Sequence, residues 1–301
     1  MHKQEKIPMV SVVVTTYNRK ELLKETLDSI LSQSYTDFEL IVVDNYSNYE
    51  FFDHIRSFND DRIRAYQNEN NGIIAANRNF GIKKSRGEYI AFCDDDDLWQ
   101  KEKLQVQIPL FNDSSVTGVG SSVTINNEGF GRSIPRVQDS FSIGFEKLLN
   151  FSNVALSSLV VKNTGLLFDE DVTHMTVEDF YFQLKLTENG KRIQVINKPL
   201  VKYRVHAGGE SKDVKYIENC LVVLYKFKDK VKKSYFKHLL SNAYLYMGYK
   251  CVRNNHTGAT KYAIRSILLD LLNVKSYLLL ILSIIPAIIR NRIIRIYYHY
   301  K

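Results

Sequence analysis

The sequence predicts an α/β fold: a mostly parallel sheet flanked by helices, followed by a C-terminal helical region. Three observations carry this. Over the first hundred residues, β-branched runs alternate with segments of helical spacing. From Val214 to Leu272 the apolar pattern is helical throughout. The charge also changes sign along the chain: residues 201–301 carry 19 Lys and Arg against 5 Asp and Glu, whereas residues 1–200 carry 22 against 28.

Val10–Val14 is the first strand, and Lys20–Ser32 the first helix, with Leu22, Leu23, Leu27, Ile30 and Leu31 on one side. A buried strand from Phe38 to Val43 ends at Asp44. A weaker helix spans Tyr49 to Phe58, and Ile63–Tyr66 is a third strand. Gly72 opens a turn into a helix from Ile74 to Lys84, and Arg86-Gly87 leads into a strand ending at Cys93. Strands separated by helices imply βαβ units and parallel pairing. In such sheets ligands bind beyond the carboxyl ends of the strands. Thr15 to Arg19, Asp44 and Asp94 to Asp97 fall at those ends.

Beyond Trp99 the pattern loosens. A helix is expected from Gln100 to Ile108, stopped by Pro109, and another from Val177 to Thr187. Strands are expected near 118–125, 158–161 and 192–195. Val214 onward is helical with Lys-rich faces, for which solvent or lipid is the expected contact rather than nucleic acid.

Apolar residues make up 45% of the 301 positions, which supplies a sizeable core and excludes wholesale disorder. Cys93, Cys220 and Cys251 are dispersed and odd in number, which fits a reducing cytoplasm rather than a disulfide framework or zinc site. The first residues form no signal-peptide pattern, so export is not expected. Residues 276–301 combine an apolar run, interrupted by Pro286, with Arg290, Arg292, Arg295 and Lys301. The run is shorter than the roughly 20 residues a spanning helix needs. It suits a segment lying in a membrane interface, or a helix packed on the protein's own core.

Asp94 to Asp97 are four like charges at the end of a core strand, next to the chain's single tryptophan, Trp99. Such carboxylates are either solvated or hold a hard divalent cation together with substrate phosphates. The EF-hand pattern is absent, as are G-x-G-x-x-G and G-x-x-x-x-G-K-[ST].

Five segments in order give a more specific reading: VSVVVTTYNR (10–19), FELIVVDNYS (38–47), NNGIIAANRNFGIKKSRGEYIAFCDDDDLW (70–99), VEDFYFQLKL (177–186) and YRVHAGGES (203–211). Together they resemble family 2 glycosyltransferases, the inverting, nucleotide-sugar-dependent enzymes of GT-A fold, here of the bacterial cell-surface polysaccharide type. The resemblance covers roughly residues 8–212. It implies a Rossmann-like GT-A catalytic domain over 1–212, with a donor half at about 8–100 and an acceptor half at about 101–212. A helical region, 213–275, and an amphipathic membrane-interface tail, 276–301, would follow. Two departures stand out: Asn45-Tyr46-Ser47 follows Asp44, and Asp95 occupies the normally small position inside the D-x-D motif.

The resemblance also implies roles. Thr15, Tyr17 and Arg19 would cradle base and phosphates, and Asp44 would accept from a base N–H, as uracil offers. Asp44 would otherwise be a helix cap. Arg78 would reach the nucleotide; the plainer alternative is a surface helix arginine. Spacing to Trp99 favours the Asp94-x-Asp96 frame, with Asp96 as principal ligand of Mn2+ or Mg2+ and Asp94 contacting metal or ribose. Asp95 would stand beside the nucleotide sugar, and, with Asp97, support the loop. His206 is a further candidate metal ligand. Asp179 matches the catalytic base and Glu178 would orient the acceptor, although both also suit a helix N-terminus.

The expected enzyme moves a sugar from a nucleotide sugar, most simply a UDP-sugar, to a hydroxyl of a glycan or lipid-linked acceptor. Its expected place is the cytoplasm, peripheral on the inner face of the cell membrane, held to an anionic surface through 276–301. The alternative is a non-catalytic GT-A-like assembly partner at the membrane.

Overall fold

The computed structural model describes residues 7–127, 130–133, 140–171, 176–204, 214–253 and 257–285. The chain divides into two compact units, Met1–Gly209 and Glu210–Lys301.

The first unit opens with β1 (Val10–Thr16), α1 (Lys20–Leu31), β2 (Phe38–Asp44), α2 (Phe51–Arg56), β3 (Ile63–Gln67), α3 (Ile74–Lys84) and β4 (Tyr89–Asp94). These strands are parallel in the order β3-β2-β1-β4. Every residue of β1 and β2 is buried, as strands covered on both faces require. The period-2 alternation divides the packing. Val10, Val12 and Val14 join Leu23, Leu27 and Ile30 of α1 in one core. On the opposite face, α3 approaches β1 at Gly81, where an added Cβ would fall 2.4 Å from Val13 Cγ1. At Gly87 a Cβ would fall 2.7 Å from Ser11 N, so the turn into β4 admits no side chain.

The second half adds β5 (Leu98–Trp99), α4 (Lys103–Gln107), β6 (Val116–Asn127), β7 (Phe130–Ser133), β8 (Phe141–Gly144), α5 (Phe145–Leu149), β9 (Val160–Lys162), α6 (Glu178–Leu186) and β10 (Arg192–Arg204). Here the sheet is mixed. β9 runs antiparallel to β4 and β6, β10 is parallel to β6, and β5 is antiparallel to β10. Phe92 of β4 packs edge-on against Phe168 and Phe182, whose rings stack 4.2 Å apart. This places α6 on the α3 side of the sheet.

Several local expectations change. The helix expected from Gln100 begins at Lys103 and ends at Gln107, just before Pro109, and the chain continues as a 3-10 turn, Ile108–Asn112, which tolerates proline near its start. The strand expected at 192–195 runs on to Arg204. A 3-10 turn, Leu156–Ser158, takes the first part of the strand expected at 158–161.

The second unit contains α7 (Val214–Lys226), α8 (Lys233–Arg253), α9 (Ala259–Leu269) and α10 (Val274–Ile284). Its helical pattern is broken at the 3-10 turn Lys228–Lys230 and again after Leu269. Leu245, Cys251, Val252, Ala259, Ala263 and Leu279 form its core. The boundary expected after residue 275 falls inside α10. Ser276, Leu279 and Leu282 are buried there, while residues 286–301 lie outside the described residues. No helix among the described residues is long and apolar enough to cross a membrane.

Candidate active site

Strand register gathers the candidate residues. Thr16 lies beside Asp44 across β1 and β2, and Thr15 beside Asp94 across β1 and β4. The carboxyl ends of three neighbouring strands therefore form one rim.

Asp94 ends β4, and Asp95 and Asp96 turn the chain, with Asp97 N donating to Asp94 O at 3.2 Å. Burial alternates along the four. Asp95 and Asp97 are buried, whereas Asp94 and Asp96 are only partly so. Asp95 accepts from Thr16 Oγ1 at 2.7 Å and from Arg19 Nη1 at 2.9 Å. Burial raises its pKa, and Arg19 opposes that shift. Asp97 is pushed up to about 8 by burial and then by its neighbours Asp94 and Asp96. It accepts from Arg204 N at 3.2 Å.

Arginines relieve the crowding of these charges. Arg19 Nη1 also donates to Asp96 Oδ2 at 2.9 Å. The Arg204 guanidinium donates to the Asp96 carbonyl and, at 2.6 Å, to Glu25. Arg78 donates to Asp94 Oδ1 at 3.0 Å and to Glu178 Oε1 at 2.6 Å. It is a buried arginine, neither on the helix surface nor open to solvent. Glu178 and Asp179 open α6, and the acidic pair faces the helix's positive end. Glu178 Oε2 is buried without a hydrogen-bond partner. Asp179 Oδ1 accepts from Phe180 N at 2.7 Å.

Tyr203, on β10, marks the convergence of the two halves. Burial, followed by the charges of Asp97, Asp94, Asp96 and Asp179, pushes its hydroxyl up to about 12. Arg78, bonded to both Asp94 and Glu178, joins the aspartate rim to the start of α6.

A cleft of about 340 Å³ opens beside this rim, lined by Tyr17, Asn45, Tyr46, Glu69, Asn71 and Gly72. Tyr17 is 55% exposed, its ring available for stacking. Asp44 is fully buried and caps no helix, since the residue before α2 is Glu50. Its carboxylate accepts from Ser47 N and Gln67 Nε2, both at 3.0 Å, and from the Ser47 hydroxyl. Asp44 thus fixes the Asn45–Ser47 turn. Tyr46 there has φ 57°, a left-handed conformation uncommon for a bulky residue. Asn18 ties this turn to the loop after β1, because Asn48 N donates to Asn18 Oδ1 at 2.7 Å. Thr15 is buried at the rim.

Among the described residues no cluster of three or more His, Cys, Asp and Glu is arranged to hold a metal. His206 lies outside the described residues. Two partly exposed carboxylates at one rim still match a Mg2+ or Mn2+ site completed by ligand phosphates. Sequence reasoning missed the cleft residues Asn45, Tyr46, Glu69 and Asn71, and Tyr203. The Asn70-Asn71-Gly72 turn was the one legible signal, through its left-handed residues.

The family model for glycosyl transferase family 2 matches residues 11–168, more than half of the chain. The chain belongs to this family. A relative in Escherichia coli, the UDP-Glc:alpha-D-GlcNAc-diphosphoundecaprenol beta-1,3-glucosyltransferase WfaP, is 29% identical over 230 residues, covering 75% of this chain and 84% of that protein. Among solved structures, Staphylococcus aureus TarS 1-349 in complex with UDP-GlcNAc superposes with TM-score 0.65 at 16% identity, covering 91% and 90% of the two chains. The mannosyltransferase PcManGT from Pyrobaculum calidifontis, in complex with GDP-Man and Mn2+, superposes with TM-score 0.56 at 18% identity, covering 91% and 84%. These likenesses establish the GT-A fold for this family 2 glycosyltransferase.

Proposed function

We propose that the chain transfers a sugar from a UDP-sugar to a hydroxyl of a glycan or lipid-linked acceptor in surface polysaccharide biosynthesis, with inversion at the anomeric carbon. One observation carries the reading: Arg78 bonds both Asp94 of the donor-side motif and Glu178 of the acceptor-side pair. A single displacement needs donor and base held in one frame. The acceptor oxygen attacks the anomeric carbon, its proton passes to Asp179, and the bond to the nucleoside diphosphate breaks.

Tyr17 would stack on the base in its cleft, with Thr15 and Arg19 beside the phosphates and Asp44 holding the turn that contacts the base. Asp96 and Asp94 would hold the divalent cation, which when bound neutralises diphosphate charge as a Lewis acid. The donor in WfaP's name is UDP-Glc and its acceptor a diphosphoundecaprenol lipid, which supports the same donor class and a membrane-bound acceptor here. We place the enzyme in the cytoplasm, peripheral on the inner face of the membrane, where such an acceptor is reached.

The test incubates purified protein and Mn2+ with UDP-sugars and, separately, GDP-sugars, and scores nucleotide release and product anomer. Release from a UDP-sugar with inverted product is expected. If no nucleotide sugar is transferred or hydrolysed, the reading fails.

A further inference from the structure

The C-terminal unit presents an apolar corner where α9 ends and α10 begins. Leu268, Leu271, Leu272 and Val274 are 74, 67, 88 and 77% exposed. Leu278 and Ile281 follow Val274 at helical spacing and extend this surface along α10. Leu279 and Leu282, on the other face of α10, are buried. The helix is therefore anchored without its outer residues. Aliphatic side chains this exposed at one place mark a surface that meets a partner.

We propose that the α9–α10 corner docks the protein on an anionic lipid bilayer, with Leu268, Leu271, Leu272 and Val274 inserted below the headgroups. Charge selects this partner. Lys261, Arg265 and Lys275 are exposed on the same two helices. The one acidic residue between 254 and 301 is Asp270, and it is paired with His238 at 2.5 Å. A second copy of the chain would bring these cations face to face. The greatest exposure falls at a turn, and a projecting aliphatic tip suits a deformable acyl layer better than a rigid protein groove. The following sequence, with Arg290, Arg292, Arg295 and Lys301 among Ile and Tyr, continues the same character. The long side chains of Lys275 and Arg265 can lie along the apolar layer while their charges reach lipid phosphates.

This extends the membrane contact from the segment 276–301 to the folded corner that precedes it. It deepens the membrane part of the proposed function but stands apart from the sugar chemistry, because binding is scored without donor or acceptor. The experiment is co-sedimentation of the full chain with vesicles of equal phosphatidylglycerol and phosphatidylcholine, and with phosphatidylcholine alone. Binding to the anionic vesicles is expected. A Leu272→Asp, Val274→Asp double variant should bind at least tenfold more weakly with unchanged melting temperature. Arg265→Glu with Lys275→Glu should weaken binding severalfold and flatten its salt dependence. Removal of residues 286–301 should leave binding within severalfold of the full chain. The proposal is overturned if the double variant binds like the parent, if removing 286–301 alone abolishes binding, or if the double variant converts a dimer to monomer while neither protein binds vesicles. Transfer to a soluble acceptor would survive each of those failures, so they are distinguishable from failure of the catalytic reading.

Discussion

Arg78 Nη1 donates to Glu178 Oε1 at 2.6 Å, joining residues 100 positions apart in sequence. The second arm of the same guanidinium reaches Asp94, and the Phe168 ring lies 5.5 Å from its central carbon. Burial alone would lower its pKa, but the Asp94 and Glu178 charges outweigh that and raise it. The arginine is therefore a permanent cation linking the two halves of the catalytic unit.

Arg78→Ala should destabilise the protein by about 3–5 kcal/mol, because it strands a buried Glu178 beside Asp94. Arg78→Lys keeps the charge but not the two-armed geometry. It should fold, keep donor KM within severalfold, and lose about 10–100-fold in kcat as α6 shifts against the rim. Denaturant melts and steady-state kinetics check both. A Lys variant with parental kcat would show that the bridge is structural alone.

The alternating burial of the four aspartates separates their expected roles. Asp96→Asn should cut Mn2+-dependent UDP binding by at least tenfold while the melting temperature stays near the parent's. Asp95→Asn should do the reverse. It removes the more deeply buried of the two carboxylate charges that hold Arg19, at about 1–3 kcal/mol of stability, and metal-dependent binding should persist in the folded fraction. Titration calorimetry with and without Mn2+, beside thermal melts, separates the two outcomes. Equal binding losses at both positions would reject the Asp94-x-Asp96 frame.

The parts legible in the sequence are those with local causes. β1 and β2 follow from apolar, β-branched runs, α1 from helical spacing and α3 from the turn that Gly72 opens, and the rim follows from parallel strands ending together. What escaped depends on distant partners. β5 has two residues and exists because Leu98 and Trp99 pair with Lys202 and Val201. Arg78 looks like an exposed helix residue until α6, 100 positions later, covers it. Asp44 resembles a helix cap, but Ser47 and Gln67 engage it instead. Among the cleft's turns the residue types signal Asn70-Asn71-Gly72, whereas the left-handed Tyr46 emerges only in the fold.

Lys103 is fully buried, with Nζ 3.9 Å from the centre of the Trp99 ring and no hydrogen-bond partner. Burial lowers its pKa from 10.5 to about 7. Between those values the unfolded chain holds a proton that the folded chain has released. Rising pH through that window therefore favours the folded state, by up to about 1.4 kcal/mol for each pH step. Below pH 7 both states carry the proton, and folding bears the full cost of burying the charge. Lys103→Met removes this titration. The variant should be more stable than the parent at pH 6–7, with the gap closing towards pH 10. Urea titrations at pH 6, 8 and 10 test this; parallel curves would sink it.

Asp179 and Glu178 are adjacent, yet their surroundings differ. Glu178 is buried and bound to Arg78. Asp179 is less buried, and its Oδ1 accepts from Phe180 N. An asparagine at 179 keeps that acceptor oxygen and the side-chain shape, so Asp179→Asn should leave stability and UDP binding close to the parent's. It cannot take a proton from the acceptor hydroxyl, and the transfer rate should fall by about 10²–10⁴-fold. Glu178→Gln removes the charge opposite Arg78 and should lower both stability and rate. Melting curves, UDP calorimetry and single-turnover transfer on the two variants form the test. A full rate in Asp179→Asn would move the base elsewhere, whereas a loss of folding in that variant alone would make the aspartate a structural part of α6.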